Sequence, residues 1–448
     1  MTRLRRYTVG VDCGTSFVKG TSCTEDGRVV HAYRVLSPVT AVSRDDRMID
    51  PNRCWRQVKS VLARLLQAAG DPPGAICVSA VTPVLTAFDK TAPGRSVGVP
   101  YWYLPPGFRH LGADDFRSSL TASRLELLEH IATSHNIDDI VVTDLAGYFV
   151  FRLTGSLSIN TVALSELGID TNGRRGVQLA KNSPPTHIGP PIAIAGTTCD
   201  IPGIQDGVPV CFGCPDSVAS LIGAGLSRKS DLMLYLGTFG SLLRLDTSVE
   251  ALLTSASLPC VPYTWLLSVP DLGPTIESLA RQWFPARRRT QSLHAFDASA
   301  SRASPGANGL LYVVPYWRSL LRPHGAFAFV GKRREEGSAA SCRAVLESLG
   351  YAIRALVPNL TGDLHASGGG AGSRIWLQAL ATVLRRDIEV RTTGRDASGA
   401  AMIASRTAWK TSADVSGPTV YPDIRAKAVE RNVERATKLY ATRGQFEE

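Results

Sequence analysis

The sequence predicts an α/β protein made of two copies of one structural unit. An apolar strand, a Gly-Thr turn and a returning strand occur near the N-terminus, at Gly14-Thr15, and again past the midpoint, at Gly237-Thr238. The chain has 448 residues, which exceeds the size of one ordinary domain. Since each hairpin opens roughly one half of the chain, we expect an N-terminal domain over residues 1–227 and a C-terminal domain over residues 228–448.

The composition is that of an ordinary globular protein, with 44% hydrophobic and 20% charged residues. The formal net charge of +10 comes mostly from scattered arginines, and one of the densest basic runs, 332–334, is followed directly by Glu335-Glu336. Such runs are typical of solvated loops. We therefore expect no nucleic-acid partner, and a homodimer is left open.

Cysteines and apolar runs indicate the compartment. The nine cysteines are unevenly spaced, which argues against a disulfide framework, and Cys211 and Cys214 lack the second ligand pair that structural zinc requires. We interpret these two as buried small residues. The basic start lacks a continuous apolar signal core, and no run approaches the ~18 apolar residues of a membrane span. These patterns predict a cytoplasmic protein without a membrane partner.

Local patterns predict the elements around the first hairpin. Residues 7–11 and 18–23 have the apolar character of strands on either side of the Gly14-Thr15 turn. Asp50-Pro51 supplies a helix N-cap and a first-turn proline, and apolar residues at helical spacing continue to Gly70. Residues 75–80 then predict another strand.

Local sequence patterns also predict the elements that come later in the chain. Ser123 and Glu126 have capping-box spacing and predict a short helix through residue 131. Residues 144–153 predict a helix that ends at Thr154-Gly155. In the second half, residues 363–367 predict a strand that runs into the glycine-rich turn 368–372 and then into a helix over 373–384.

The two hairpin tips and the glycine-rich turn are candidate phosphate and nucleotide sites. Glycine lets backbone N–H groups approach phosphate oxygens, and threonine adds a hydroxyl donor. One Gly-Thr tip is more often a structural turn, but two could clamp a polyphosphate. A strand, a glycine turn and a helix start can cradle a nucleotide. The turn at 368–372 does not match a dinucleotide-binding fingerprint, and Gly331-Lys332 does not match a P-loop.

Phosphoryl transfer also requires a metal-binding carboxylate and a base for the attacking hydroxyl. Asp12, beside the first tip, and Asp216, in an apolar segment that ends the first half, are the candidates. A lone loop aspartate is more often a turn residue or a helix cap. The residue chemistry alone leaves both interpretations open.

As a set, these segments resemble the FGGY carbohydrate kinases, a family that includes xylulokinase and glycerol kinase. The resemblance runs through most of the chain and follows the family's order. Its segments are the first phosphate motif at 7–20, the catalytic-aspartate segment at 207–226, the second phosphate motif at 236–241, the helix at 340–357 and the adenosine motif at 367–378. Phe239 stands where the family usually has serine. The resemblance implies a duplicated actin-like (ribonuclease H-like) ATPase fold, with two domains, an interdomain cleft, and ATP and Mg²⁺ as cofactors.

The resemblance also implies a role for each candidate site residue. Asp216 would be the general base that accepts the proton of the substrate hydroxyl, and Asp12 would hold Mg²⁺ directly or through water. Thr15, Lys19 and Thr238 would bind the β- and γ-phosphates. The complete nucleotide-binding set is Gly14, Thr15, Ser16, Lys19, Gly237, Thr238, Gly369, Gly370 and Ser373, of which the last three would line the adenosine site.

The acceptor segments depart from the family pattern. Where the family has a loop close to Ser-Gly-Gln-x-His-Gly, this chain reads Ser79-Ala80-Val81-Thr82-Pro83, and no aspartate lies in the usual register before Arg109. The residues expected to face the acceptor are Ser79, Thr82, Trp102, Arg109 and Asp216. Apolar sites penalise unpaired hydroxyls, so we expect a sugar-like or modified metabolite rather than an ordinary ketose or glycerol. The alternative is a catalytically silent nucleotide-binding regulatory protein, which the retention of both aspartates disfavours.

Overall fold

Two packing units divide the chain, and each is assembled from segments that are distant in sequence. The computed structural model describes residues 7–25, 27–39, 48–100, 128, 139–166, 187–189, 194–195, 207–254, 263–316, 327–331, 337–390, 396–409, 418–423 and 427–444. The first unit takes the described parts of Met1–Ser227, Thr247–Pro262 and Thr393–Val415. The second takes those of Arg228–Asp246, Tyr263–Thr392 and Ser416–Glu448. The packing units are thus not continuous halves, and the boundary at residue 227 stays a prediction about functional domains.

The secondary structure alternates between strands and helices in both units. The strands are β1 (Tyr7–Cys13), β2 (Phe17–Thr24), β3 (Val29–Leu36), β4 (Ile76–Ala80), β5 (Val84–Asp89), β6 (Ser96–Pro100), β7 (Ile140–Asp144), β8 (Ser158–Asn160), β9 (His187–Gly189), β10 (Ile194–Ala195), β11 (Val210–Cys211), β12 (Cys214–Pro215), β13 (Leu232–Leu236), β14 (Gly240–Leu245), β15 (Tyr263–Val269), β16 (Leu311–Val313), β17 (Ala328–Val330), β18 (Leu364–Ser367), β19 (Ile388–Val390) and β20 (Thr419–Val420). The helices are α1 (Pro51–Ala69), α2 (Leu145–Thr154), α3 (Thr161–Glu166), α4 (Asp216–Gly223), α5 (Val249–Thr254), α6 (Leu272–Trp283), α7 (Arg289–Ala300), α8 (Ala339–Leu356), α9 (Arg374–Leu384), α10 (Asp396–Trp409) and α11 (Lys427–Gly444). Short 3₁₀ turns span Ala307–Gly309 and Gly369–Gly372.

The central sheets of the two units share one strand order and one pattern of strand directions. The order is β10-β11-β4-β1-β2-β3 in the first unit, where β12 also pairs with β4, and β20-β19-β18-β13-β14-β15 in the second. In each sheet the hairpin and the strand beside it are antiparallel, the next two strands are parallel, and the far edge is antiparallel. This correspondence confirms the duplicated α/β unit predicted from the two Gly-Thr hairpins.

Helix α1 shows why the local predictions hold. The Asp50 side chain accepts a hydrogen bond of 3.0 Å from the backbone N–H of Arg53, which satisfies one of the unpaired donors at the helix start. Gly70 ends the helix with φ of 79°, a left-handed conformation that glycine adopts without strain. The helix predicted between these residues is confirmed. The helix predicted at 144–153 is confirmed as α2, with Asp144 as N-cap and Gly155 as C-cap.

Strand β1 lies in the middle of its sheet and is buried along its whole length. Adjacent residues of a strand point to opposite faces. At Gly10, a side chain would collide with the backbone of α10, at Ala397 and Ala401. At Gly20, which pairs with Val11, a side chain would collide with α1. Helices α1 and α10 therefore cover opposite faces of the sheet, and glycine lets both approach closely.

A buried ionic network links α8 to α11 in the second unit. The Glu347 side chain is fully buried and accepts hydrogen bonds from Arg343 Nε at 2.7 Å and from the Tyr351 hydroxyl at 2.9 Å. It also accepts the backbone N–H of Gly306 at 2.9 Å. Asn432, on α11, donates to the Gly306 carbonyl at 2.9 Å. The charge is thus compensated on several sides, as a buried carboxylate requires.

Some predictions fall on residues that the structure does not describe. The helix predicted from Ser123 through residue 131 lies outside the described residues, apart from Leu128. Of the helices that are described, none combines the length and the hydrophobicity that a membrane span requires.

Candidate functional site

The carboxyl ends of β1, β4 and β12 bring the candidate carboxylates of the first unit together. Strands β1 and β12 both pair in parallel with β4, and Ser79 lies opposite Asp12 on one side and opposite Cys214 on the other. The carboxyl ends of parallel strands meet at the same edge of a sheet. Asp12, near the end of β1, and Asp216, directly after β12, therefore lie at the same edge.

Asp12 is fully buried, and two side chains stabilise its charge. The Ser79 hydroxyl donates a hydrogen bond of 2.8 Å to Asp12 Oδ1. Lys19 lies opposite Asp12 in the β1–β2 hairpin, and its Nζ is 3.6 Å from Asp12 Oδ2. Ser79, predicted to face the acceptor, is itself fully buried and has its hydroxyl on the candidate metal ligand. Its acceptor role stays a prediction.

The first Gly-Thr tip closes directly beside this carboxylate. The backbone N–H of Gly14 donates to the Phe17 carbonyl at 3.1 Å, which forms the turn. A Cβ atom added at Gly14 would come within 3.3 Å of Asp12 Oδ2, so glycine keeps the space next to the carboxylate open. Thr15 is half-buried and Ser16 is exposed, which leaves their hydroxyls at the surface of the tip.

Asp216 is the first residue of α4 and is half-buried. The backbone N–H of Ser217 donates to Asp216 Oδ1 at 2.9 Å. The Ser217 hydroxyl in turn donates to Glu166 Oε1 at 2.9 Å, which ties the start of α4 to the end of α3. A carboxylate at a helix N-terminus is stabilised by the unpaired N–H groups and the helix dipole.

Both aspartates help to raise the pKa values of two buried thiols, those of Cys13 and Cys214. The pKa of Cys13 is raised well above its usual range, chiefly by a hydrogen bond with Cys54 and by burial, with smaller contributions from Asp12 and Asp216. The pKa of Cys214 is raised chiefly by burial, and the same aspartates add to the shift. Both carboxylates thus lie within electrostatic range of the same two thiols, which remain protonated at neutral pH.

The interpretation of Cys211 and Cys214 as buried residues is confirmed, since neither side chain is exposed. Within the described ranges, no group of three or more His, Cys, Asp or Glu residues could hold a metal ion.

In the second unit, the second tip and the glycine-rich turn adjoin. Strands β13 and β18 are parallel, with Tyr235 opposite Ser367, so both strands end at one edge. The backbone N–H of Gly237 donates to the Phe239 carbonyl at 2.9 Å and closes the tip. At Gly368, where φ is 93°, a side chain would collide with the backbone of Leu236, the residue before the tip. The structure thus brings the nucleotide-binding candidates of this unit together.

The glycine-rich turn has open space on its outer side. A Cβ atom added at Gly369 or Gly372 would meet no atom within 4 Å, whereas one added at Gly370 would collide with the Trp376 ring. The ring therefore supports the turn from below, and the open side has room for a ligand. Thr238, at the neighbouring tip, is half-buried.

Ser373 caps helix α9 directly after this turn. Its hydroxyl oxygen accepts the backbone N–H of Trp376 at 3.1 Å and donates to Asp297 Oδ2 at 2.7 Å. Burial raises the pKa of Asp297, and the hydrogen bond from Ser373 and the nearby His294 oppose that shift. A carboxylate thus stands beside the proposed adenosine segment.

Other acceptor candidates are only partly placed. Thr82 is half-buried, and its hydroxyl donates to the Ala80 carbonyl at 2.8 Å. Trp102 and Arg109 lie outside the described residues. Glu166 and Asp297 were not singled out from the sequence, because no motif or periodicity marks them. Both reach the site through contacts between elements that are far apart along the chain.

Comparison with known proteins finds similarity to carbohydrate kinases. The sequence model of the C-terminal domain of the FGGY family of carbohydrate kinases matches residues 267–408. A xylulose kinase of Staphylococcus epidermidis is 27% identical over 220 residues, which cover 45% of this chain and 43% of that protein. The chain thus aligns with less than half the length of this relative. A gluconokinase of Bacillus licheniformis is 21% identical over 444 residues, covering 86% of this chain and 84% of that protein.

The fold matches that of a solved structure. The crystal structure of xylulose kinase from Rhodospirillum rubrum superposes with a TM-score of 0.75 at 21% sequence identity, covering 98% of this chain and 99% of that chain. At this identity the match shows a common fold.

Proposed function

We propose that this chain is a member of the FGGY family of carbohydrate kinases, whose C-terminal-domain model matches residues 267–408. We propose further that it transfers the γ-phosphoryl group of ATP to a hydroxyl of a small, sugar-like or modified metabolite. The similarity to xylulose kinases in sequence and the shared two-domain actin-like ATPase fold support this assignment. The observation that carries the proposal is the shared strand edge of the first unit. There Asp12 and Asp216 have different surroundings, one buried and ion-paired, the other half-buried at a helix start. Two such carboxylates can divide the tasks of metal binding and base catalysis.

Asp216 is the proposed general base. As the acceptor oxygen forms its bond to phosphorus, the hydroxyl proton passes to the Asp216 carboxylate, and ADP leaves with the electrons of the broken P–O bond. The hydrogen bond from the Ser217 N–H orients the carboxylate, and the helix start favours its ionised form before transfer. A half-buried position also lets a small substrate reach it.

Asp12 is the proposed holder of Mg²⁺, directly or through water. Magnesium prefers oxygen ligands and is usually bound by one or two carboxylates together with substrate phosphates and water. One buried carboxylate, with open space beside it at Gly14, fits that donor set. When bound, the metal would neutralise charge on the phosphates. Lys19, already 3.6 Å from Asp12, would add positive charge at the same place.

The remaining nucleotide contacts follow the two tips and the glycine-rich turn. Thr15 and Thr238 would donate their hydroxyls to the β- and γ-phosphates, as would Lys19 its ammonium group. The N–H group of Ser16 would approach the same oxygens. The N–H groups of Gly14 and Gly237 close the two turns, and the missing side chains of these glycines would let the phosphates come near the backbone. Gly369, Gly370 and Ser373 would line the adenosine site, which the open side of the turn supports.

The acceptor is proposed to be a sugar-like or modified metabolite that carries fewer hydroxyls than an ordinary sugar. The names of the relatives, xylulose kinase, glycerol kinase and gluconokinase, support the class. Ala80 and Val81 are buried and apolar at the end of β4, so hydroxyls that face them would lose hydrogen bonds to water. A panel of xylulose, ribulose, glycerol, gluconate and less hydroxylated analogues, assayed by ADP release and by the mass gain of one phosphoryl group, would identify the acceptor.

The decisive variant is Asp216→Asn. It should bind ATP with Mg²⁺ like the wild type in calorimetry, yet transfer phosphoryl groups roughly 10²–10⁴-fold more slowly, because general-base catalysis contributes about that much. Asp12→Ala should instead weaken the magnesium dependence. The exposed Asp71 offers a matched control, since Asp71→Asn removes the same charge from the same unit.

The outcomes separate the alternatives. Absence of nucleotide binding with magnesium present would refute the assignment. Tight ATP binding without transfer to any acceptor would favour a nucleotide-binding regulatory protein. Unchanged turnover in Asp216→Asn would show that Asp216 is not the general base and serves only as the first residue of α4.

A further inference from the structure

Glu166 and Ser217 form a polar link beside the candidate base. Glu166 is the last residue of α3, and its Oε1 accepts the Ser217 hydroxyl at 2.9 Å. The backbone N–H of the same Ser217 donates to Asp216 Oδ1 at 2.9 Å. One residue thus holds the base with its main chain and is itself held by a carboxylate through its side chain.

A second contact fixes the other end of this arrangement. Asn160, directly before α3, accepts the backbone N–H of Ala163 at 2.8 Å and donates from Nδ2 to the Gly213 carbonyl at 3.3 Å. Gly213 directly precedes β12, which leads into Asp216. Helix α3 is therefore tied to the β12–α4 segment both before and after Asp216. Two anchor points on opposite sides restrict rotation of that segment, whereas one would leave it free to pivot.

We propose that Glu166 and Ser217 are positioning residues that hold Asp216 in register with the acceptor hydroxyl during phosphoryl transfer. The inference rests on the proposed function, since it takes Asp216 as the base. A hydrogen bond to an ionised carboxylate is stronger than one between neutral groups, so the contact of 2.9 Å ties the Ser217 side chain to the end of α3. The start of α4, which carries Asp216 and the Ser217 N–H that contacts its Oδ1, is thereby held against the end of α3. Neither side chain needs to touch the reacting atoms.

The restraint matters because base catalysis depends on geometry. A misplacement of about 1 Å can lower a reaction rate by about a hundredfold, while binding of the nucleotide is unaffected by the orientation of the base. A positioning role therefore predicts a loss of kcat without a change in KM for ATP. A purely structural helix-capping role predicts the opposite, a loss of stability with kcat retained.

The test compares removal of the link with its conservative repair. Ser217→Ala and Glu166→Ala should each lower kcat by about tenfold to a hundredfold, with KM for ATP within about twofold of the wild type. Since the two residues act as one unit, the double variant should be no slower than the slower single variant. Glu166→Gln retains an acceptor oxygen and Ser217→Thr retains a hydroxyl, so both should recover most of the activity. Ser165→Ala, next to Glu166 on α3, is the matched control and should resemble the wild type.

The measurements are kcat and KM with the acceptor identified by the panel, ATP hydrolysis with water as acceptor, and the melting temperature of each variant. A wild type that transfers to no acceptor, including water, refutes the proposed function and this inference with it. An active wild type that is impaired by Asp216→Asn but not by Glu166→Ala or Ser217→Ala refutes only the positioning role. A lowered melting temperature with unchanged kcat would likewise show that Glu166 and Ser217 only stabilise the helix ends.

Discussion

Replacement of Asp144 by asparagine should make the protein more stable at neutral pH. Asp144 caps α2, where its Oδ1 accepts the backbone N–H of Gly147 at 3.1 Å, and its side chain is almost fully buried. Burial raises the pKa of Asp144 from the ordinary 3.8 to about 6, although hydrogen bonds from Gly147, Ala146 and Thr143 oppose the shift. The charged form is thus disfavoured in the folded state, and asparagine keeps the capping oxygen without the charge.

The sign and size follow from proton linkage. Between the two pKa values the folded state binds the proton more tightly than the unfolded state, so the free energy of unfolding falls as the pH rises through that window. A shift from 3.8 to about 6 corresponds to about 3 kcal/mol at 1.36 kcal/mol per pKa unit. The stability of Asp144→Asn minus that of the wild type should therefore be near zero at about pH 4 and rise to about 3 kcal/mol at about pH 7.

The assay is urea denaturation of both proteins, followed by far-ultraviolet circular dichroism across this pH range. Titrations of all other groups cancel in the difference between the two proteins. Asp144→Ala is the control, because it removes the charge and also the cap, and should lie about 1 kcal/mol below the asparagine variant at every pH. A difference between Asp144→Asn and wild type that stays flat with pH would refute the reasoning.

Two further predictions concern packing and the buried ion pair. Gly10→Val should abolish stable folding of the first unit, because a Cβ atom there collides with the backbone of α10 at Ala397 and Ala401. The soluble yield and the melting temperature of the variant test this prediction. A melting temperature equal to that of the wild type would contradict it. Glu347→Ala should lower the free energy of unfolding by about 3–5 kcal/mol, because it leaves Arg343 as an unpaired buried charge. In chemical denaturation, the double variant Glu347→Leu/Arg343→Met should recover the part of that loss that comes from the unpaired Arg343 charge, although the Gly306 N–H and the Tyr351 hydroxyl still lose their acceptor. An equal loss in both variants would show that the unpaired charge contributes little.

The local elements of this fold could be predicted because their signals are local. The ends of α1 follow from Asp50, Pro51 and Gly70, whose capping chemistry acts within one helical turn. The two hairpins follow from apolar strands around a Gly-Thr turn, and β13 and β14 flank the second tip as expected. The repeat of these hairpins predicted the duplicated sheet, since the same local geometry leads to the same strand pairing.

The candidate site was predicted in part. Motif spacing led to Asp12 and Asp216, and their roles remain proposals. The spacing carried no information on the Ser79 hydroxyl that holds Asp12, or on the link from Glu166 to Ser217. Each of these contacts joins strands or helices that are separated by tens of residues and by other elements. A hydrogen bond between distant segments leaves no periodic pattern in either of them.

The sequence by itself determined the fold class, the hairpin repeat and the glycines and carboxylates proposed for phosphate chemistry, because these are properties of short segments. Only the tertiary structure decided which segments share a core. Helix α10 follows the second Gly-Thr tip in the chain but packs on β1, where Gly10 admits its backbone. Parallel pairing of β1, β4 and β12 likewise brought Asp12 and Asp216 to one edge. The physical reason is that crossover connections and the packing of helices on sheets are chosen by the burial of whole faces, which no short segment can specify alone.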